Sequence, residues 1–521
     1  MRSKITTLPS LSRLASILNR WRDYKAVLDL YHKLNASLAC QVTVTGLAGS
    51  SEAFLIRTIA EKLNIPTLVV AENSDQAREL YDDLVFLMDE GKVAHFPSRQ
   101  VLPYDFKAPV GEIMGQRIST LAELLDSSLA AVVTSIRAIM EPTIDPDYLQ
   151  AVRVSLKQGQ AADLEDLVNR LVKLGFRRVP VVEEVGDFAL RGGLIDFFSP
   201  GSETPVRVEF FGDEVETIRQ FEVGSQRTIR KINTVSLLPR REIPITQETL
   251  EHYLSQLPAG DADYLRSRYL NDPELPGLEW LAVLFGMKQG FVLDFFPKDG
   301  IIYMQGKGAL QVEAEAIFEE GKLLHERLHK HFSNLPPLEK YYHSSEWVFN
   351  RISNHKTIDR VPFRGARQDI IDFGCQPHPY FGSRLDLLVQ TTNEYESAGI
   401  KYFIATDTEG QAARLGELIA ERVGVENRLP IEVADLKGGF VSRTGGFAIL
   451  TDHEIFGRYH RRVRRKKFKE GVAISDYSSL TKGDYVVHTD HGIARYHGLQ
   501  TITVDGRNRD CLLLQYADND R

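Results

Sequence analysis

The sequence predicts a multidomain α/β protein with a small β-rich end, and three patterns predict it. Strand-like apolar runs alternate with helix-period segments over about 41–140 and again over 359–456, the signature of parallel α/β sheets. Between them, to about residue 238, period-2 strands crowd together as in a separate α+β domain. From 483 to 516 short alternating strands dominate, as in a small β-barrel. At 521 residues the chain has room for three or four domains of about 150 residues each.

In chain order, Leu8, Leu11, Leu14, Ile17 and Leu18 recur on one side of an opening amphipathic helix. Gln41 to Thr45 is β-branched and stops at Gly46, after which the apolar spacing turns helical from about Glu52 to Leu63. A second strand spans Pro66 to Ala71. Asn73, with Gln76 three positions on, starts a helix that carries Leu80, Leu84 and Leu87. Ala130 to Thr134 reads as a later strand of the same sheet. The pattern changes around Glu141-Pro142. A helix at about Leu164 to Leu174 precedes the strands Val206 to Phe211 and Val215 to Phe221, joined through Gly212-Asp213, which is good hairpin chemistry. Helical segments then fill about 247–342, interrupted by one strand-like run, Gly290 to Phe296. The second α/β segment has a strand at Tyr402 to Ala405 and a helix from about Gly410 to Val423. Near the end, Asp505-Gly506 turns the chain between Thr501–Val504 and Cys511–Leu514.

Sixty-three Lys and Arg oppose 71 Asp and Glu, a net charge of −8, which gives no global sign of a nucleic-acid-coating protein. The distribution is uneven: eight of those cations, with no acid, lie in the twelve positions from Arg458 to Lys469, and removing them leaves −16 for everything else. Cys40, Cys375 and Cys511 are too scattered for a disulfide framework or a zinc site and fit a reducing compartment. No apolar run reaches the roughly 18 to 20 residues of a membrane span, so a cytoplasmic protein is expected.

A phosphate-binding loop of the form G-x-x-x-x-G-K-[ST] cradles phosphates with backbone amides, pairs them with the lysine and holds magnesium with the hydroxyl. The corresponding positions here read Gly46-Leu-Ala-Gly49-Ser-Ser51-Glu52-Ala53. Ser51 replaces the second glycine, Glu52 the lysine and Ala53 the magnesium ligand, and a carboxylate facing a triphosphate repels it. On residue chemistry alone this is either an ordinary strand-to-helix turn or a decayed nucleotide site, and in neither case is it expected to hydrolyse ATP. His325-Glu326-Arg327-Leu328-His329 formally matches H-E-x-x-H, where two histidines hold zinc and the glutamate activates water. Arg327 inside the motif, and no third histidine at the required spacing, argue instead for a solvated helix face with His331 adjoining; Glu346 is the remaining guess for a third ligand. His378, between two prolines, reads as a loop residue. No catalytic constellation and no metal site is expected.

Two features suggest recognition surfaces. Arg177 and Arg178 are adjacent and so face opposite ways on a strand, and Arg191 precedes Gly192-Gly193, which permits close backbone approach. Exposed arginines near aromatic groups anchor interfaces; the alternative is a solvated strand face with Phe197 or Phe198 in the core. The basic run, with Arg461, Arg462, Arg464, Arg465, Lys466 and Lys467 at its centre, is either a nucleic-acid backbone contact or a charged helix bridging two domains.

Four blocks, in order, carry a family resemblance: Phe96-Pro-Ser-Arg-Gln-Val-Leu-Pro-Tyr-Asp105 with Arg117-Ile-Ser-Thr-Leu121; Gly175-Phe-Arg-Arg with Leu190-Arg-Gly-Gly-Leu-Ile-Asp-Phe-Phe198; Phe221-Glu-Val-Gly-Ser-Gln-Arg-Thr228 with Leu237-Leu-Pro239; and Asp484-Tyr-Val-Val-His488 with His491-Gly-Ile-Ala-Arg-Tyr496. The chain resembles the amino-terminal half of the bacterial transcription-repair coupling factors, the Mfd family. That family opens with a module similar to the excision-repair protein UvrB, so the resemblance implies a degenerate RecA-like first unit and favours the decayed-site reading of Gly46, Gly49, Ser51, Glu52 and Ala53. It implies the UvrB-like domain at 1–143 and 241–350, an inserted α+β domain at 144–240, a small α/β domain of uncertain role at 360–456, a basic linker helix at 457–474, and at 475–521 a truncated CarD-like domain forming part of an SH3/Tudor-like barrel.

Partners follow from the same resemblance. The insert looks like the domain that binds UvrA, with Arg177 and Arg191 at matching positions and Phe197 as a weaker match. The last strands look like the domain that binds the β subunit of RNA polymerase by strand addition, matching Leu499, Ile502 and Val504 with Arg495 and Tyr496 nearby. Family members continue into an ATP- and magnesium-dependent DNA translocase, which this stretch lacks. The expectation is a monomeric adaptor between stalled polymerase and UvrA, with no enzymatic activity and no cofactor of its own, and with DNA contacted mainly through the missing motor. Two rivals are a UvrB-type repair protein, disfavoured by Glu52, and a free CarD-like transcription regulator, disfavoured by the UvrB-module order of the second and third blocks.

Overall fold

A computed structural model of the chain describes residues 12–36, 40–89, 91–101, 111–243, 247–269, 282–329, 335–363, 369–423 and 429–457, and, towards the end, 483, 485–488, 492–504 and 507–516. Its centre is a seven-stranded, all-parallel sheet. The strands run in the order Ile370–Asp372, Gln41–Thr45, Lys356–Arg360, Ile301–Met304, Thr67–Ala71, Ala131–Ser135, Val93–Phe96. A parallel strand covered on both faces reads as a largely apolar run, and Thr67–Ala71 and Ala131–Ser135 are buried at every position. Alternate side chains therefore feed two cores. Leu68, Val70, Val132, Ile302 and Met304 pack towards the helices Gly111–Leu125, Ile136–Met140 and Lys307–His329, whereas Val69, Ala71, Val133 and Tyr303 pack towards Ser51–Leu63 and Ser74–Leu87. The expected cap forms: Asn73 Oδ1 accepts from the amides of Asp75 and Gln76 at 3.1 and 3.0 Å.

Two expectations change here. The run Gly290 to Phe296 is not a strand: Val292–Phe295 is a helical turn, capped by Asp294 accepting from the Phe291 amide at 2.8 Å, and the strand is Ile301–Met304. A short apolar run buried on all sides has no period that separates the two. The strands Lys356–Arg360 and Ile370–Asp372 complete the first sheet, so the second α/β unit begins with Cys375–Gln376 and not at 360.

The insert is a six-stranded sheet in the order Thr228–Ile232, Glu214–Phe221, Val206–Phe211, Leu194–Phe197, Asp187–Arg191, Arg177–Arg178. The helix Leu164–Lys173, capped by Asp163 at 2.9 Å from the Asp166 amide, contributes to the core on one of its faces through Leu167 and Leu171. The second unit has five strands, ordered Cys375–Gln376, Phe440–Ser442, Phe447–Thr451, Lys401–Thr406, Ile431–Val433. The last sheet, Tyr485–His488, Gly492–Val504 and Arg507–Gln515, is antiparallel and three-stranded. Leu14 and Ile17 of the opening helix Ser12–Arg22 are buried, while Leu8 and Leu11, the Asp505-Gly506 turn, and the basic run with all of the expected 457–474 linker after Gly457 lie outside the described residues. Among the described residues no helix is long and apolar enough to cross a membrane.

The first and second α/β units share a core. Trp21 lies with its ring centroid 5.9 Å from Phe54, 5.7 Å from Phe373, 6.1 Å from Phe440 and 5.7 Å from Phe447, so one indole touches both sheets.

Candidate functional site

The loop after Gln41–Thr45 has the backbone turn its glycines suggest. Gly46 and Gly49 stand at φ +68° and +52°, in the left-handed region where a side chain is strained. The helix Ser51–Leu63 starts immediately afterwards, and the amides at such a helix start seek anionic or carbonyl acceptors. They find them within the chain. Ala48 N donates to Ser51 Oγ at 2.8 Å, Ser50 N donates to the Gly438 carbonyl at 2.9 Å, and Gly438 N donates back to Ser50 Oγ at 3.1 Å. A Cβ on Gly49 would stand 2.5 Å from Gly439 O and 2.6 Å from Gly438 O.

Glu52, at the position of the phosphate-loop lysine, is buried. Its two oxygens meet Arg360 Nε at 3.0 Å and Gln305 Nε2 at 2.8 Å. An internal ion pair thus stands where a lysine would face phosphate, and Ala53 is wholly buried. Asp83, from the helix Ser74–Leu87, accepts from the Lys437 amide at 2.8 Å, and burial pushes its carboxyl up to about 7 although that amide, Ser50 and the Lys437 charge pull it down. Gly438-Gly439, Asp83, Arg360 and Gln305 were not singled out in the sequence. Only the glycine pair carried a signal, a dipeptide that allows close approach.

The second candidate is the insert's sheet face that carries Arg177 and Arg191, both exposed although Asp187, Ala189 and Asp196 between them are buried. The register pairs Arg177 with Asp187 and Arg178 with Phe188, so Arg177 shares one face with Asp187, Ala189 and Arg191, and Arg178 takes the other. Arg177 donates to Asp187 at 3.0 Å and to Glu184 at 3.0 Å, and both acids hold its guanidinium in the charged form. Arg191 differs: it donates to the Pro180 carbonyl at 2.9 Å and has no carboxylate partner among the described residues. It is exposed, at the lip of a two-residue turn whose Gly192 adopts φ +61°. Further along that face the arginines are paired, Arg207 with Asp196 through two 2.8 Å bonds and Arg219 with Glu209. Phe197 does not join this surface. It is 0 % exposed and packs in the insert's core with Phe188 and Ile195, because alternation turns it away from Asp196.

A buried knot roots the insert. Arg117 donates to Glu242 at 2.6 Å, to Glu141 at 3.0 Å and to the Pro97 carbonyl at 2.7 Å, while Arg99 pairs with Glu242 and donates its amide to Glu141 at 2.9 Å. All four side chains are buried. Burial pushes both carboxyls up; at Glu242 the two guanidiniums outweigh it and hold the group below its ordinary value, while Glu141 stays raised. Glu141 immediately precedes the insert and Glu242 follows it, so both chain crossings are tied to one point.

The other candidates separate from these. His325 faces the Pro336 carbonyl at 3.0 Å and its ring lies 5.9 Å from that of His329, but among the described residues no His, Cys, Asp and Glu group could hold a metal; His331 lies outside them. His378 lies in a loop, as expected, but is buried there, with Nε2 2.8 Å from the Ile449 carbonyl and Nδ1 3.0 Å from Tyr395 Oη. In the last sheet Arg495 is exposed and lies over the Tyr485 ring at 5.5 Å, whereas Tyr496 is buried with Val486 and Ala494. Leu499, Ile502 and Val504 sit on backbone that pairs with Leu512, Arg509 and Arg507. Tyr485–His488 pairs only as far as Arg495, so among the described residues the other edge of Leu499–Val504 carries no strand. Arg461, Arg462, Arg464, Arg465, Lys466 and Lys467 lie outside the described residues.

The fold defines a multidomain α/β protein with an inserted domain built on a six-stranded sheet and a small antiparallel sheet towards the end. Family models match these two modules: the UvrB interaction domain over residues 154–243 and the CarD-like/TRCF RID domain over 480–521. Over nearly its whole length the chain is similar to the amino-terminal part of the transcription-repair-coupling factors. It is 30% identical to that of Myxococcus xanthus over 92% of the chain, 26% identical to that of Escherichia coli over 91%, and 24% identical to that of Bacillus subtilis over 98%. The chain spans 44%, 43% and 46% of those relatives' lengths.

Proposed function

We propose that this chain acts as an adaptor that joins RNA polymerase stalled at a DNA lesion to nucleotide excision repair by recruiting UvrA. The presence of both modules in one chain, in this order, carries the reading. The insert offers UvrA the face bearing Arg191 and Arg177, and the free edge of Leu499–Val504 offers the polymerase β subunit a place to add a strand. The seven-stranded sheet is read as a degenerate RecA-like sheet, and the last three strands as part of an SH3/Tudor-like barrel. The work of these residues is binding. Arg191 supplies an uncommitted cation that a partner carboxylate can take without breaking an internal pair, and Arg177 can be reached only by exchanging one. ATP and magnesium chemistry, and most DNA contact, belong to the motor of the full-length relatives. The adaptor works in the cytoplasm as a monomer.

The experiment is a two-partner binding assay. Arg191→Ala is expected to weaken UvrA binding at least about tenfold, the scale of an interface anchor, while leaving binding to the polymerase β amino-terminal region unchanged. Unchanged UvrA affinity in both Arg191→Ala and Arg177→Ala sinks the assignment of that face.

A further inference from the structure

We infer that the second α/β unit is a built-in ligand of the first, its 437–439 backbone occupying the place that phosphate takes in loops of this form and locking the two units into one body. Three independent contacts carry this. The Ser50 amide, at the helix start, already donates to the Gly438 carbonyl, and Gly438 returns the bond to Ser50 Oγ. The approach is closer than any side chain permits: a Cβ on Gly438 would lie 2.9 Å from Gly49 Cα, and one on Gly49 would meet two carbonyl oxygens inside 2.7 Å. Asp83, on a different helix of the first unit, takes the adjacent Lys437 amide at 2.8 Å.

A phosphate oxygen is an acceptor that gathers the amides of such a loop. A backbone carbonyl is also an acceptor, it is neutral, and it belongs to the same chain, so its binding costs no bimolecular encounter. Glu52 completes the exchange of roles. Its carboxylate cannot face phosphate, yet it has no quarrel with a neutral carbonyl, and it is itself neutralised by Arg360 behind the loop. The loop is therefore neither an idle turn nor a weak nucleotide site. It is one half of an interdomain joint, and the unit containing 401–451 is its other half, which gives that unit a task independent of any partner of the adaptor.

Hydrogen exchange on the whole chain tests this directly, with tripolyphosphate as the phosphate probe. The amides of Ser50 and Gly438 are expected to exchange at least about a hundredfold more slowly than unstructured ones, and millimolar tripolyphosphate is expected to leave both rates unchanged. Gly438→Ala is expected to speed exchange tenfold or more in both 46–50 and 437–439 while the insert strands 206–221 stay protected. Should that variant fail to fold, Ser50→Ala removes the acceptor for Gly438 N together with the hydroxyl's bond to Asp83, and is expected to speed Gly438 exchange while the amide at position 50, whose acceptor is the Gly438 carbonyl, stays slow. Unprotected Ser50 and Gly438 amides in the wild type, or a Ser50 amide that gains protection from tripolyphosphate, would overturn the inference. Neither outcome touches UvrA binding, so the joint and the adaptor reading fail separately.

Discussion

The 46–50 loop and the Arg191 lip are built from the same materials, glycines at positive φ beside charged side chains, and they end in opposite states. At Gly49 the space a side chain would need is filled by Gly438 and Gly439, Glu52 is paired with Arg360, and Asp83 accepts from the Lys437 amide. At Gly192 nothing lies within 4 Å of an added Cβ, and the neighbouring arginine keeps a free charge. A loop whose donors are met by its own chain becomes scaffold. A loop that leaves one arginine without an acid, on a face where Arg177, Arg207 and Arg219 are each paired, keeps a cation that an acid from outside the chain can take.

The strongest way to break that contrast is to loosen the root that holds the Arg191 face. Glu242→Ala leaves Arg99 and Arg117 in a dry pocket with one acid between them, and is expected to cost about 3–5 kcal/mol, read from the first transition in urea unfolding of the full chain. A loss below about 1 kcal/mol would mean the knot is not what fixes the insert.

The joint should also answer to pH. The folded carboxyl of Asp83 is raised to about 7 by burial, above its unfolded value of about 3.9, so its stabilising contribution is whole below about pH 4 and is lost as pH rises through 7. At about 1.4 kcal/mol per unit the window is worth on the order of 4 kcal/mol as an upper bound. His95 and His343, lowered to about 4 by burial, act the other way, losing stability as pH falls from about 6.5. The wild type minus Asp83→Asn difference isolates the joint, and a melting-temperature difference that is flat from pH 4 to 8 would refute the assignment.

Substituting the glycines themselves sharpens the comparison. Gly49→Ala meets both a left-handed backbone and two carbonyls and is expected to cost roughly 2–4 kcal/mol. Gly192→Ala meets the backbone penalty alone, about 1–2 kcal/mol. Equal losses in thermal unfolding would show that the close approach at 49 contributes nothing. Smallest in stability is Arg191→Ala, expected within about 0.5 kcal/mol of wild type while UvrA affinity falls, which separates a binding residue from a structural one.

Much of this was legible along the chain. Thr67–Ala71 and Ala131–Ser135 announce themselves because strands buried on both faces read as short, nearly continuous apolar runs. Lys356–Arg360 and Ile370–Asp372 do not, since the first is bracketed by charges and the second is three residues long, and their place in the first sheet depends on pairing with Gln41–Thr45 from more than three hundred residues away. Arg177 and Arg191 were visible as arginines. Their shared face needed the register, and the burial of Phe197 and Tyr496 needed the packing on the far side.

The sequence by itself determined the absence of a phosphate-loop lysine and magnesium-binding hydroxyl at Glu52 and Ala53, because those residue types lack the groups whatever their surroundings. Tertiary structure alone decided what replaced it. A carbonyl at 438 carries no signature in the residue name, and only the fold brings it within hydrogen-bonding distance of an amide at 50. The same holds for the difference between Arg177 and Arg191, identical side chains whose availability is set by which of them the folded chain supplies with an acid.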